Sequence, residues 1–116
     1  MSTTKKIPIK RLKGKLTIDF LFSNGEVIHS KMVFIRLFRK PGAGVYLSGV
    51  SVPKKLFKRA IDRNRIKRQM RFALYKLDHK KLFEGSGMLI FKSDKKPLIK
   101  ELIYEVDSLF SCIENN

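Results

Sequence analysis

Residues 58–71 read KRAIDRNRIKRQMR, and Lys or Arg occupies half of these fourteen positions. At 100° per residue, a helix through this stretch would gather Ile66, Met70 and, further on, Leu77 on one side. The opposite side is an arc of cations with one amide, formed by Asn64, Arg65, Lys67, Arg68 and Arg71. The pattern predicts a helix over about residues 58–77 that buries one face in a core and turns positive charge outward.

This cationic arc lacks the ion pairs that usually accompany charge on a surface helix. Opposite charges four residues apart stabilise a helix by about 0.2–0.5 kcal/mol per pair, and like charges cost a similar amount. Asp62 is the one acid in the stretch. Arginine also suits phosphate well, because its planar guanidinium donates two parallel hydrogen bonds. A solvated surface face is the ordinary explanation of a charge run, but this pattern favours phosphate groups as the counter-charge.

The net charge of the 116-residue chain is +16, and it is unevenly distributed. Residues 1–76 hold 20 Lys or Arg against three acids, a charge of +17. Residues 77–116 hold six Lys against seven acids, a charge of −1. Such asymmetry indicates a polyanionic partner, with nucleic acid ahead of an anionic membrane.

Three features of the sequence bear on location. No apolar run approaches the roughly 18 residues that a membrane span needs. The N-terminal stretch MSTTKKIPIKRLKGK is basic and lacks the apolar segment of a signal peptide. Cys112 is the single cysteine, which excludes an intramolecular disulfide and fits a reducing compartment. We therefore expect a cytoplasmic protein.

The rest of the chain reads as short helices and strands without a linker. LTIDFLFS at 16–23 predicts a helix with Thr17 as its N-cap, ended by Asn-Gly. Residues 31–39 and 45–52 read as strands, and the turn KPGAG between them predicts an antiparallel hairpin. Residues 26–30 could add a short strand or an extended lead-in.

The C-terminal third predicts one strand and one amphipathic helix. The apolar run at 87–93 reads as a buried strand. The last helix is expected after Pro97 with Asp94 as a cap, and its apolar stripe comprises Leu98, Leu102, Val106, Leu109 and Ile113. We therefore expect one α+β domain over residues 1–116, with helices packed on a small sheet.

Several segments, taken in order, resemble the bacterial ribonuclease P protein family. GVSVPKK at 49–55, followed by RNRIKRQMR at 63–71, is similar to that family's strand, lysine connection and arginine-rich helix. RLKGKLTIDFLFSNG at 11–25 resembles its N-terminal basic stretch and short helix, and GMLIFKSD at 87–94 its last strand. The resemblance implies a fold like the second domain of ribosomal protein S5, with element order α-β-β-β-α-β-α. It also implies a four-stranded sheet and a left-handed βαβ crossover that carries the basic helix.

The resemblance further implies a function and its site. In this family a catalytic RNA subunit removes the 5′ leader of precursor tRNA, and the protein binds that RNA and the leader. Carried over by position, the surface for the RNA subunit comprises Lys54, Lys55, Lys58, Arg63, Asn64, Arg65, Lys67, Arg68 and Arg71. The leader would contact Ile18, Phe22 and Arg36. The family often has aromatic residues where Ile18 and Arg36 stand, and Ile18 cannot stack on a base, a contact worth about 1–3 kcal/mol.

No catalytic or metal-binding constellation is evident in the chain itself. His29, His79 and Cys112 do not stand at metal-ligand spacing, and Asp62 and Asp94 read as helix caps. We expect an endonuclease whose chemistry resides in the RNA, with Mg²⁺ required by the holoenzyme and no further protein partner. Two alternatives stay open. One is a DNA-binding helix like the basic region of a leucine zipper, although the residues after it lack the heptads that would dimerise it. The other is a ribosomal-type RNA-binding protein without a processing role, which only the order of the motifs distinguishes from a ribonuclease P protein.

Overall fold

The computed structural model describes residues 7–114. The expectation about a signal peptide falls partly on residues 1–6, which lie outside the described residues. In chain order the elements are β1 (Ile9–Arg11), α1 (Lys15–Asn24), β2 (Glu26–His29), β3 (Val33–Arg39), β4 (Tyr46–Ser51), α2 (Ala60–Tyr75), a 3-10 turn (His79–Lys81), β5 (Gly85–Phe91) and α3 (Ile99–Glu114). The predicted α+β class and the order α-β-β-β-α-β-α are confirmed, with β1 as one additional strand.

The described strands form one mixed sheet in the order β1-β4-β5-β3-β2. β3 pairs antiparallel with both β2 and β5, whereas β4 pairs parallel with both β5 and β1. The sheet therefore has five strands where the resemblance implied four. The fifth is β1, which the backbone holds against β4 through Leu12 N–H to the Ser48 carbonyl and Tyr46 N–H to the Pro8 carbonyl.

The predicted hairpin between β3 and β4 is wrong. β5 lies between these two strands and pairs with each of them. The KPGAG turn reverses the chain, but the two strands it joins are separated by the width of β5. β4, α2 and β5 instead form a βαβ unit with parallel neighbours, as the resemblance implied. The left-handed sense of this crossover stays a prediction.

Residues alternate between the two faces of the sheet and build two apolar clusters. Val33, Ile35 and Leu37 of β3 face the larger cluster, beneath α2 and α3. Phe34 and Phe38 point to the other face, where they pack with Leu21 of α1. The sheet is thus sandwiched between α1 on one side and the α2–α3 pair on the other.

Helix boundaries differ from the predictions for local reasons. α1 begins at Lys15 after Gly14, which has a φ of 93°, and no side chain caps it, so Thr17 is not the N-cap. α2 begins at Ala60 and α3 at Ile99. The α3 backbone is capped by Glu101, whose carboxylate accepts from Leu98 N–H at 3.1 Å. Leu98 is consequently outside the buried stripe and 69% exposed.

The loop between β2 and β3 is fixed by a buried carboxylate of α3. Glu105 accepts hydrogen bonds from the Ser30 hydroxyl at 2.6 Å and from Met32 N–H at 3.0 Å. Burial alone would raise the pKa of Glu105, but these hydrogen bonds, with the charge of Lys31, hold that pKa below its ordinary value. The predicted strand at 31–39 therefore begins only at Val33, because residues 30–32 belong to this loop.

Candidate nucleic-acid interface

The segment between β4 and α2 carries three of the predicted lysines on an anchored loop. Val52 and Phe57 are buried at its ends, and Lys54, Lys55 and Lys58 are exposed between or beside them. Leu56 N–H donates to the Pro53 carbonyl at 3.1 Å, which closes a turn. The lysines are thus presented to solvent by a fixed backbone.

Arg63 has a structural contact that the sequence did not reveal. Its Nη1 donates to the carbonyl oxygens of Phe57 at 2.9 Å and Lys58 at 2.7 Å. The guanidinium therefore ties the loop to the first turn of α2. Of the predicted RNA-binding set, Arg63 is the residue that this structure engages with its own backbone.

The remaining predicted residues of α2 lie opposite a buried face, as the periodicity predicted. Ile66 and Met70 are 2% and 0% exposed. The outward side consists of exposed polar residues and the half-buried Lys67, namely Asn64, Arg65, Lys67, Arg68 and Arg71.

Little negative charge lies near this outward side. Asp62 is not a helix cap but pairs with Arg59 at 3.4 Å and Lys96 at 3.3 Å. Among the described side chains, those of residues 7–113, no carboxylate lies within ion-pair distance of Arg65, Arg68 or Arg71. The charge of these three arginines is therefore uncompensated by the described protein, which leaves it available to an external anion.

A cleft of about 730 Å³ opens between α2, β4, β1 and α1. Its cations are Lys10 and Arg11 of β1 and Lys67 and Arg71 of α2. Its apolar wall includes Ile18 of α1, and the further lining residues are Ile9, Leu12, Ser48, Gly49, Val50, Leu74, Tyr75 and Met88. The cleft thus brings Ile18, a predicted leader residue, together with two residues predicted to bind the RNA subunit.

Phe22 and Arg36, the other predicted leader residues, form a pair outside this cleft. Arg36 Nη1 donates to the Phe22 carbonyl at 3.2 Å, and its guanidinium carbon lies 5.0 Å from the centroid of the Phe22 ring. The Phe22 side chain is 40% exposed, so it is not a core residue. The three residues predicted for the leader therefore divide between the cleft and a separate patch beside β3.

Sequence reasoning missed Lys10, Arg11 and Tyr75 as cleft residues. The three-residue strand β1 is too short to show strand periodicity, and only its pairing with β4 brings Lys10 and Arg11 to the cleft. Tyr75 could have been found, since at 100° per residue it lies opposite Ile66, within the cationic arc.

Two other features, a metal site and a membrane-spanning helix, are absent from the described residues. In the span 7–113, no group of three or more His, Cys, Asp or Glu side chains is arranged to hold a metal ion. Within the same span, no helix has the length and apolar character to cross a bilayer. His29 contacts the Lys92 ammonium through Nδ1 at 3.2 Å.

The sandwich of helices on a mixed sheet, with a polycationic helix beside a cleft, defines a small basic α+β protein of the kind that binds polyanions. The Ribonuclease P family model matches residues 8–114. The chain belongs to the ribonuclease P protein family.

Individual relatives agree with this assignment. The chain is 40% identical over 62 residues to the ribonuclease P protein component of Legionella pneumophila (strain Lens). That match spans 53% of this chain and 54% of the relative, so the chain covers about half of that protein's length. The fold is similar to the RNase P protein of Staphylococcus aureus, with a TM-score of 0.77 at 19% identity over 90% of this chain and 94% of that one. It is also similar to the RNase P protein of Thermotoga maritima, with a TM-score of 0.73 at 13% identity over 92% and 97%.

Proposed function

We propose that this chain is the protein subunit of a ribonuclease P holoenzyme, binding the catalytic RNA and the 5′ leader of precursor tRNA. The observation that carries the proposal is the uncompensated charge of α2 beside a cleft with an apolar wall. Phosphates would take the place of the missing carboxylates, and the cleft would admit unpaired nucleotides.

The proposed division of labour follows the two sides of α2. The exposed loop lysines and the far side of the helix, with Arg65 and Arg68, would contact the RNA subunit. The resemblance assigns Lys67 and Arg71 to the surface for the RNA subunit, but because they line the cleft with Ile18, they would here face the leader. Phe22 and Arg36 would contact a further part of the leader, beside β3.

In this proposal the RNA subunit performs the hydrolysis and holds the Mg²⁺ that the holoenzyme requires, and the chain binds and orients the substrate. The partners are the RNA subunit and precursor tRNA, without a membrane or a further protein. The proposed location is the cytoplasm, where a bacterial cell transcribes its tRNA precursors.

The test is reconstitution with a ribonuclease P RNA and a precursor tRNA at low magnesium concentration. We expect the wild-type chain to stimulate leader removal, and the chain freed of RNA to cleave nothing. The double variant Arg65→Ala/Arg68→Ala should need more protein for the same stimulation. Lys95→Ala/Lys100→Ala, which removes the same charge from exposed positions outside the proposed surface, should behave as wild type.

Two results would contradict the proposal. Cleavage that follows the protein peak in the absence of RNA would place the chemistry in the chain. RNA binding without any stimulation of leader removal would favour the alternative of a structural RNA-binding protein.

A further inference from the structure

Tyr75, the last residue of α2, has an unusual position for an aromatic side chain. It is 79% exposed, yet it lines the cleft. Among the described residues that line the cleft, it is the aromatic one. Among the described side chains of residues 7–113, no hydrogen bond or ring contact engages that of Tyr75. Because so little of the ring is buried, its contribution to the core is small.

The surroundings of Tyr75 distinguish it from an ordinary exposed aromatic residue. Lys67, Arg71 and Tyr75 follow one another at a spacing of four residues, hence about 6 Å apart along the helix axis. Tyr75 lies about 40° from Arg71 around that axis. A ring, two cations and the apolar wall containing Ile18 thus share one cleft.

This combination is the one by which proteins hold single-stranded nucleic acid. Cations follow the phosphate backbone, and aromatic rings stack on the bases, whatever their identity, because every base has a π face. Ile18, at the other wall of the cleft, supplies no such ring.

We propose that Tyr75 stacks on an unpaired base of the precursor tRNA leader, with Lys67 and Arg71 contacting the adjacent phosphates. The inference rests on the proposed function and adds to it a residue that determines leader affinity. It also explains how a cleft with isoleucine at position 18 retains a stacking contact.

The experiment measures the Kd of the reconstituted holoenzyme for precursor tRNA and for the same tRNA without its leader. Tyr75→Ala should weaken binding of the leader-bearing RNA by about 5- to 100-fold and leave the leaderless RNA unaffected. Tyr75→Phe keeps the ring and should match wild type. The matched control is Tyr104→Ala, which removes a tyrosine of α3 that is 70% exposed and lies outside the cleft.

Two further measurements distinguish stacking of the Tyr75 ring from the contact that any apolar side chain of similar size would make. Tyr75→Leu keeps an apolar side chain without a ring, so it should lose affinity as Tyr75→Ala does. A leader carrying 2-aminopurine should lose fluorescence on binding wild type or Tyr75→Phe, and less on binding the alanine and leucine variants. The inference is overturned if Tyr75→Leu binds the leader-bearing RNA as tightly as wild type does. It is also overturned if Tyr75→Ala loses the same affinity for the leader-bearing and the leaderless RNA.

The same preparation distinguishes failure of the inference from failure of the proposed function. If wild type stimulates cleavage and Tyr75→Ala binds the leader equally well, the inference alone is wrong. If wild type gives no stimulation, the proposed function is wrong, and the variants are then titrated with a labelled single-stranded RNA oligonucleotide. A selective loss for Tyr75→Ala there supports the stacking role without the holoenzyme, and equal binding overturns it.

Discussion

Arg36 contacts Phe22 at two points, the backbone carbonyl and the aromatic ring, so a substitution can remove the ring contact alone. The Phe22 carbonyl accepts from Arg36, and its ring lies beneath the guanidinium. Phe22→Ala keeps the carbonyl and removes the ring alone. Because the ring is 40% exposed, the loss of stability should be well below the roughly 3–5 kcal/mol of a core phenylalanine.

We predict that Phe22→Ala leaves affinity for the RNA subunit unchanged and weakens binding of precursor tRNA to the holoenzyme. Thermal melts and the two Kd values are the measurements. Phe20→Ala is the control on the same helix, because Phe20 is 48% exposed and contacts Phe38 edge to face at 5.0 Å. If Phe22→Ala melts far below wild type and binds both the RNA subunit and precursor tRNA more weakly, Phe22 has a structural role instead.

Glu105 makes the stability of the fold depend on pH. Its pKa in the folded protein lies below the ordinary glutamate value of about 4.3. Its contribution is therefore complete above that ordinary value and is lost as pH falls through the lower, folded pKa. We predict that Glu105→Gln costs about 1–2 kcal/mol at pH 7, since a neutral amide accepts weaker hydrogen bonds from Ser30 and Met32.

The measurement is urea denaturation of both proteins from pH 7 down to pH 3. The difference in unfolding free energy between wild type and Glu105→Gln should shrink on acidification. A difference that stays constant across this range would show that the charge of Glu105 is not what fixes the loop between β2 and β3.

Within α2, neighbouring arginines should respond differently to the same substitution. Arg63→Ala removes two hydrogen bonds to the carbonyls of Phe57 and Lys58, so we predict a loss of stability of about 1–3 kcal/mol. Arg65→Ala or Arg68→Ala should leave the melting temperature unchanged. Each should weaken binding of the RNA subunit by about 1–3 kcal/mol, the scale of a charge-assisted contact.

Melting temperatures and RNA-subunit Kd values for the three variants, measured together, check this division. Lys100→Ala, an exposed cation on α3, controls for the loss of one charge. If Arg65→Ala and Arg68→Ala bind the RNA subunit as Lys100→Ala does, the outward side of α2 is a solvated face and not the proposed interface.

The prediction of α2 from sequence succeeded because its signal is local. Ile66 and Met70 fall on one side by helical periodicity alone, and they are buried. The role of Arg63 was missed, because its contacts depend on how the loop before the helix turns back. The cleft was missed for a similar reason, since Arg11 reaches it only through pairing between β1 and β4, strands far apart in sequence.

For the whole molecule, the excess positive charge predicts a steep dependence of RNA binding on salt. If the interface neutralises about 4–6 phosphates, the slope of log K against log salt should be about −3 to −5. Titrations of the RNA subunit at several salt concentrations measure it. A slope near −1 would mean that most of the charge on α2 and the preceding loop stays solvated in the complex.

The order of the strands in the sheet could not be predicted from the sequence, although one glycine in β5 is consistent with it. KPGAG is a strong turn signal, and a local rule pairs the strands on either side of a turn. The structure instead shows a close fit between β4 and β5, which are far apart in the sequence. A methyl group at Gly87 of β5 would lie 2.4 Å from the hydroxyl oxygen of Tyr46 of β4, so only glycine allows this close approach. Such complementarity between distant residues is visible only once the chain is folded.

The insertion of β5 between β3 and β4 determines when the protein can fold during its synthesis. Val33 pairs with Phe91 and Arg39 with Gly85, separations of 58 and 46 residues along the chain. A nascent chain that ends before residue 85 therefore has two strands whose inner edges have no partner, and unpaired edges promote aggregation. Contacts of such long range also slow folding. The basic helix leaves the ribosome before the strand that completes its support, so a chain truncated ahead of β5 should yield no stable subdomain.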